Sequence, residues 1–131
     1  MGDTTRAWTP AELGRIGVAD ELEIAVRRLD GTLRRWLPIW VVAVDGQVYV
    51  RSWYRRGTGW FGQVLESGAA SVRVPGLQVD VTVEDVGAGP GRLREDVDEA
   101  YQVKYGRYGA GTVAAMVSAE AAATTLRLQP A

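Results

Sequence analysis

Residues Leu37 to Leu65 read Leu-Pro-Ile-Trp-Val-Val-Ala-Val-Asp-Gly-Gln-Val-Tyr-Val-Arg-Ser-Trp-Tyr-Arg-Arg-Gly-Thr-Gly-Trp-Phe-Gly-Gln-Val-Leu. Asp45-Gly46 between two apolar, β-branched runs is a strong short-range hairpin signal, because glycine accepts the positive φ of a tight turn. Ile39 to Val44 is apolar at every position, which predicts a strand covered on both faces. The strand after the turn alternates: Val48, Val50 and Ser52 share one face, and Gln47, Tyr49, Arg51 and Trp53 the other. At its end Arg51, Ser52, Arg55 and Arg56 meet a glycine-containing loop that leads into a short helix. Backbone donors and guanidinium groups at such a place suit an anion. The same cluster is also open to a structural reading, as a loop ion-paired to the acidic helix further along.

Outward from this hairpin the chain punctuates itself clearly. Thr9-Pro10-Ala11-Glu12 is a capping box with proline at the first helical position, predicting a helix that ends near Gly14 or Gly17. Leu22, Ile24 and Val26 alternate with polar neighbours into a strand that closes at Asp30-Gly31. The next strand, the buried one, is expected from about Trp36 to Val44. Trp60, Phe61, Val64 and Leu65 fall at helical spacing before Gly68. Ala70, Val72 and Val74 make a strand, Pro75-Gly76 a turn, and Leu77 to Val83 the clearest alternation in the chain. Leu93, Val97, Tyr101 and Tyr105 are four apart and mark an amphipathic helix that ends at Gly106 and Gly109. Val113 to Val117 is a short helix or turn, and Thr124, Leu126 and Leu128 a last strand. The order is that of an α+β chain: a six-stranded antiparallel barrel capped by short helices, in one domain spanning residues 1–131.

Composition narrows the chemistry. With 47% hydrophobic and 24% charged residues the chain is a globular domain. Cys and His are both absent, so disulfides, thiol nucleophiles, Ser-His-Asp catalysis and ordinary zinc or haem ligation are excluded. No metal site is expected: Glu95, Asp96, Asp98 and Glu99 sit in the first turns of a helix, where acids belong anyway. No apolar run is long enough to span a bilayer, and no signal-type core opens the chain, so a cytoplasmic location is expected. Charge is uneven, with seven arginines against two acids from Arg27 to Arg56. So compact a basic stretch, in a chain with one lysine, fits a local anionic ligand better than a nucleic acid.

The pattern Asp30-Gly31, Pro38-Ile39-Trp40-Val41-Val42, Asp45-Gly46, Tyr49-Val50-Arg51-Ser52 and Gly59-Trp60 resembles the flavin-binding split-barrel proteins. These include pyridoxamine-phosphate-oxidase-like enzymes and deazaflavin-dependent nitroreductases. Asp98 to Gly106, with Ala123 to Leu128, is similar to one uncharacterised bacterial family in that group. The resemblance, running from about Trp8 to Pro130, implies a homodimer with FMN or a deazaflavin at the subunit interface and a small organic substrate. Carried over by position, it implies phosphate contacts from Arg51 and Ser52, with Arg55 or Arg56 as a second cation. It also implies that Pro38, Ile39 and Trp40 lie under the ring. Two departures stand out: Leu37 and Pro38 open the second strand where the oxidase-like pattern has arginine, and Trp60 or Gln63 replaces a helix lysine.

A flavin carries hydride chemistry itself, so a chain without His or Cys can still be an oxidoreductase. Trp60, beside the arginine loop, is a candidate pocket residue or a core residue of its helix, and Trp40 a candidate for core or dimer interface. Lys104 and Tyr105 are the candidate proton donors, although the cluster they belong to reads first as a helix stripe with a lysine at the helix end. Two other functions fit the same composition: a cofactor-free small-molecule-binding protein, and a cofactor-free isomerase or cyclase using Tyr, Asp, Glu and Lys104.

Overall fold

The computed structural model describes residues 7–52, 59–87, 89 and 91–131. The elements are helix α1 (Pro10–Val18), strands β1 (Leu22–Val26), β2 (Leu37–Ile39), β3 (Val41–Val44) and β4 (Gln47–Val50), and helix α2 (Gly59–Ser67). They continue with β5 (Ala69–Val74), β6 (Leu77–Asp85), α3 (Leu93–Tyr105), a 3-10 turn (Gly106–Tyr108), α4 (Ala110–Met116), α5 (Ala119–Ala122) and β7 (Leu126–Pro130). Thr9 caps α1 as expected, with its hydroxyl accepting from the Glu12 N–H while the Glu12 carboxylate accepts from the Thr9 N–H. At the β3–β4 turn Asp45 and Gly46 adopt φ of 50° and 78°, the left-handed pair that matches the twist of a tight hairpin.

The seven strands form one antiparallel sheet in the order β2-β1-β5-β6-β7-β4-β3. Its two outer strands, β2 and β3, are consecutive in the chain with only Trp40 between them. The sheet therefore brings its own edges together at Trp40, giving a nearly closed barrel with no long open edge. This corrects the expected count of six strands. The single strand expected from Trp36 to Val44 is two strands pairing with different partners, β2 with β1 and β3 with β4. Nor is Ile39 to Val44 covered on both faces, since Ala43 is exposed and Val44 only half-buried. Pro38 gives the physical reason for the break, because a residue without an N–H is confined to a sheet edge, and it is exposed there.

Strand alternation divides the apolar residues between two clusters. Val41, Val48, Val50, Ile24, Leu126 and Leu128 fill the barrel, together with Ile16 of α1 and Phe61 and Val64 of α2. Val42 and Tyr49, on the opposite face of β3–β4, pack with Val97, Tyr101 and Tyr105 of α3 and with Val113 and Met116 of α4. The expected alternation does not carry past β4: Arg51 and Ser52 are both buried. Trp36, half-buried, lies beneath the Arg73 guanidinium at 4.1 Å from its ring centre. Among the described residues no helix is long and apolar enough to cross a membrane.

Candidate functional site

A cavity of about 560 Å³ opens where β2 ends, beside the end of β4. Its lining takes in Pro38, Ile39 and Trp40, Arg51 and Ser52 at the strand end, and Trp60 of α2. Gly111, Ala115 and Met116 of α4 and Glu21 complete the lining. The chain thus brings together six of the eight positions singled out as cofactor-binding from the sequence. Arg55 and Arg56, the other two, lie outside the described residues, as does Trp53.

The aromatic wall is braced from behind. Trp40 stacks on Tyr105 with ring centres 4.0 Å apart and planes 2° from parallel. Tyr105 is buried and does not line the cavity, so it backs the indole and leaves the rest of that ring to the cavity. Trp60 is half-buried and meets Phe61 edge to face at 5.9 Å.

Arg51 occupies a different position from the one the sequence suggests for a ligand-binding arginine. Its side chain has no exposed surface. Nε donates to Thr125 Oγ1 at 2.9 Å, and Nη1 donates to Asp98 Oδ1 at 2.5 Å and to the Met116 carbonyl at 2.9 Å. One guanidinium thus ties the end of β4 to α3, α4 and the start of β7. Asp98 also receives Arg94 at 3.5 Å. The pairing with the acidic helix, the structural alternative for this cluster, is present, although buried rather than in a solvated loop. Nη2 of Arg51 and the hydroxyl of Tyr101, whose ring centre lies 5.6 Å from the guanidinium carbon, are buried with no hydrogen-bond partner among the described residues. Burial pushes the Tyr101 phenol well above its ordinary pKa, so it stays protonated. Ser52 is fixed through its backbone: its N–H donates to Thr124 Oγ1 at 2.8 Å, and its carbonyl accepts from the same hydroxyl at 2.7 Å.

Lys104 and Tyr105 are brought together, but not to the cavity lining. The Lys104 ammonium donates to the carbonyls of Val41 at 2.8 Å and Ile16 at 3.1 Å, joining α3 to β3 and α1 rather than capping its own helix. Burial lowers its pKa to about 8. The Tyr105 hydroxyl accepts from the Val41 N–H at 3.0 Å and donates to the Asp20 carbonyl at 2.9 Å. Burial raises its pKa to about 12. Both candidate proton donors are occupied as struts.

Glu21, which the sequence reading did not single out, joins the lining just ahead of β1. Its neighbours are held on both sides. Leu22 is fully buried and paired with Ile39. Asp20 accepts the Tyr105 hydroxyl through its carbonyl and pairs with Arg107 through its carboxylate. Continuing the β1–β2 register by one residue sets Glu21 opposite Trp40. The neighbouring Asp20 and the hydrophobic alternation of β1 gave no signal that this particular acid would face a cavity.

A planar, largely apolar ligand fits this lining: the volume falls in the ordinary range for small-molecule pockets, and two indoles supply flat surface. A phosphate fits Arg51 poorly, because the guanidinium is enclosed and its charge is already matched by Asp98.

Three solved structures share the fold at low identity. A conserved hypothetical protein of Mycobacterium tuberculosis has a TM-score of 0.59 at 11% identity, covering 100% of this chain and 84% of that one. An FAD-binding protein of Mesorhizobium loti has 0.55 at 16%, covering 98% and 92%. A proposed 5-nitroimidazole antibiotic resistance protein of Bacteroides thetaiotaomicron has 0.56 at 13%, covering 99% and 84%. The expected split-barrel architecture is therefore present, with the strand count corrected to seven. No curated protein matches the sequence. Residues 12–128 match the family described as "Uncharacterized protein conserved in bacteria (DUF2255)", and the chain belongs to that family.

Proposed function

We propose that this protein is a flavin- or deazaflavin-dependent oxidoreductase acting on a small organic substrate, with the tricyclic ring in the cavity beside Trp40. The observation that carries this reading is that Pro38, Ile39, Trp40, Arg51, Ser52 and Trp60 line one cavity of about 560 Å³. These positions come from three separate sequence stretches that the barrel brings to one place. The FAD-binding protein of Mesorhizobium loti, which shares the fold, supports the same reading.

In this proposal the bound cofactor supplies hydride transfer. Pro38, Ile39 and Trp40 carry the ring on a braced surface, Trp60 excludes water from the opposite side, and Ser52 meets the polar end. The Arg51 guanidinium serves to fix the cavity floor, and the phosphate falls to Arg55 and Arg56. Lys104 and Tyr105 hold the scaffold and are not assigned a proton-transfer role. The proposed working unit is a homodimer in the cytoplasm, which light scattering on the purified protein tests.

The test of function is an absorbance spectrum of the purified protein followed by titration with FMN and with the deazaflavin cofactor. Flavin bands, or saturable binding of one cofactor, support the reading. A colourless protein that binds neither at tens of micromolar, about −6 kcal/mol of affinity, contradicts it. One observation favours a second reading, a cofactor-free small-molecule-binding protein: the Arg51 guanidinium, among the described residues at the cavity, is paired with Asp98 at 2.5 Å.

A further inference from the structure

A second cavity, of about 590 Å³, lies between α1, β3 and α3, and Lys104 is part of its wall. Two carbonyls place the amine within that wall: Nζ donates to Val41 at 2.8 Å and to Ile16 at 3.1 Å. The residues that follow these two in the chain, Val42 and Gly17, line the same cavity. An ammonium carries three protons and a neutral amine two. The two carbonyls can therefore take every proton of the neutral form. Its lone pair is then turned away from both, and the cavity is the space that this wall borders. An ordinary lysine is almost never neutral near neutral pH. Burial brings the Lys104 pKa down to about 8, with Arg107 lowering it further and Asp20 opposing the shift. The Tyr105 ring, 5.2 Å from Nζ, stays protonated because its own pKa is raised to about 12. Asp45, Asp96 and Glu99 bring carboxylates to the cavity, and the exposed Val103 brings apolar surface.

We propose that this second cavity is a covalent ligand site, in which the Lys104 amine condenses with a small neutral or cationic aliphatic aldehyde. The nitrogen adds to the carbonyl carbon. Counted from the ammonium, two protons leave with the carbonyl oxygen as water, and the third stays on the resulting iminium. No oxidant or reductant is needed. The iminium keeps the positive charge beside Asp45, Asp96 and Glu99, and keeps one N–H for the carbonyl of Val41 or Ile16. The same three carboxylates disfavour an aldehyde that itself carries an anion. A lysine desolvated in this way is the kind that forms Schiff bases with carbonyl compounds. Among the described residues the two cavities share no lining position, so this site does not depend on what binds beside Trp40.

The test incubates the full chain near neutral pH with betaine aldehyde (cationic), propanal (neutral) or glyoxylate (anionic). Cyanoborohydride then reduces any imine to a stable secondary amine, which peptide mass spectrometry locates. Each rate is divided by that of Nα-acetyl-lysine methylamide in the same tube, which removes differences in electrophilicity between the probes. Propanal is expected to label Lys104 about tenfold faster than the reference amine. The ratio should be higher for betaine aldehyde and lower for glyoxylate. Asp96→Asn with Glu99→Gln should shrink the advantage of betaine aldehyde over propanal by about threefold. Lys104→Arg keeps a cation with N–H donors, and should leave α3 unlabelled. Labelling of Lys104 no faster than the reference amine overturns the proposal, as does labelling that needs denaturant. A glyoxylate ratio equal to that of betaine aldehyde also overturns it.

Discussion

Arg51 and Lys104 are the two buried cations that the sequence offered as functional, and the structure handles them differently. Arg51 is wholly enclosed and answered by a carboxylate, a hydroxyl and a carbonyl from three other elements. Lys104 is half-buried and donates to the carbonyls of Ile16 and Val41. A half-buried ammonium loses ground to desolvation, and the Lys104 pKa falls to about 8. Both side chains are scaffolding, one through an ion pair with Asp98 and the other through two backbone carbonyls.

The largest effect should come from breaking the ion pair. Asp98→Leu leaves the enclosed guanidinium without its counter-charge and is expected to cost about 3–5 kcal/mol, read as a fall in denaturant midpoint. Arg51→Met with Asp98→Leu should recover most of that loss, because two apolar groups of similar volume can replace a buried pair. If the double variant is as damaged as the single one, charge balance is not what Asp98 provides. The same architecture makes Arg51→Ala a poor probe of ligand binding, since it removes three structural hydrogen bonds along with any ligand contact.

The next effects belong to the Lys104 side. Tyr105→Phe keeps the stack on Trp40 but removes the acceptor of the Val41 N–H and the donor to the Asp20 carbonyl. A loss of about 1–2 kcal/mol is expected. Smaller still is the pH effect. The pKa of Lys104 lies below its ordinary 10.5 when folded, so the folded chain binds that proton less tightly than the unfolded chain. Stability from this group is lowest below about pH 8, where both states are protonated, and rises from there to 10.5. After discounting for the solvent around a half-buried ammonium, the rise is about 1 kcal/mol. Tyr105, raised from 10.0 to about 12 by folding, works against this rise only near its upper end, where the unfolded phenol begins to ionise. Lys104→Met should remove the rise; a variant that keeps it would assign the slope to another group.

What the sequence revealed follows from the range of the interactions. The Asp-Gly turns, the capping box and the four-residue spacing of α3 are local, and each appears where the pattern placed it. Pro38–Trp40, Arg51–Ser52 and Trp60, singled out through the resemblance, line one cavity. The break at Trp40 was hidden because Ile39 to Val44 contains no glycine or polar residue; Pro38 just before it was the available signal, since proline marks a sheet edge. The partners of Arg51 were not legible, because Asp98, Met116 and Thr125 lie far along the chain and only barrel closure brings them together. Glu21 was missed for the same reason: only the closed barrel sets it in the same lining as Trp40 and Trp60.

The central claim is that the cavity beside Trp40 holds a flavin-type ring. The most direct measurement is a titration of FMN and the deazaflavin cofactor against the wild-type chain and Trp60→Leu, followed by cofactor fluorescence. Trp60→Leu keeps an apolar side chain on α2 but removes the indole from the cavity. The account expects saturable binding of one cofactor by the wild type, weakened about three- to tenfold by the substitution, as loss of one aromatic contact requires. Binding that ignores Trp60→Leu, or no binding by the wild type, would contradict it.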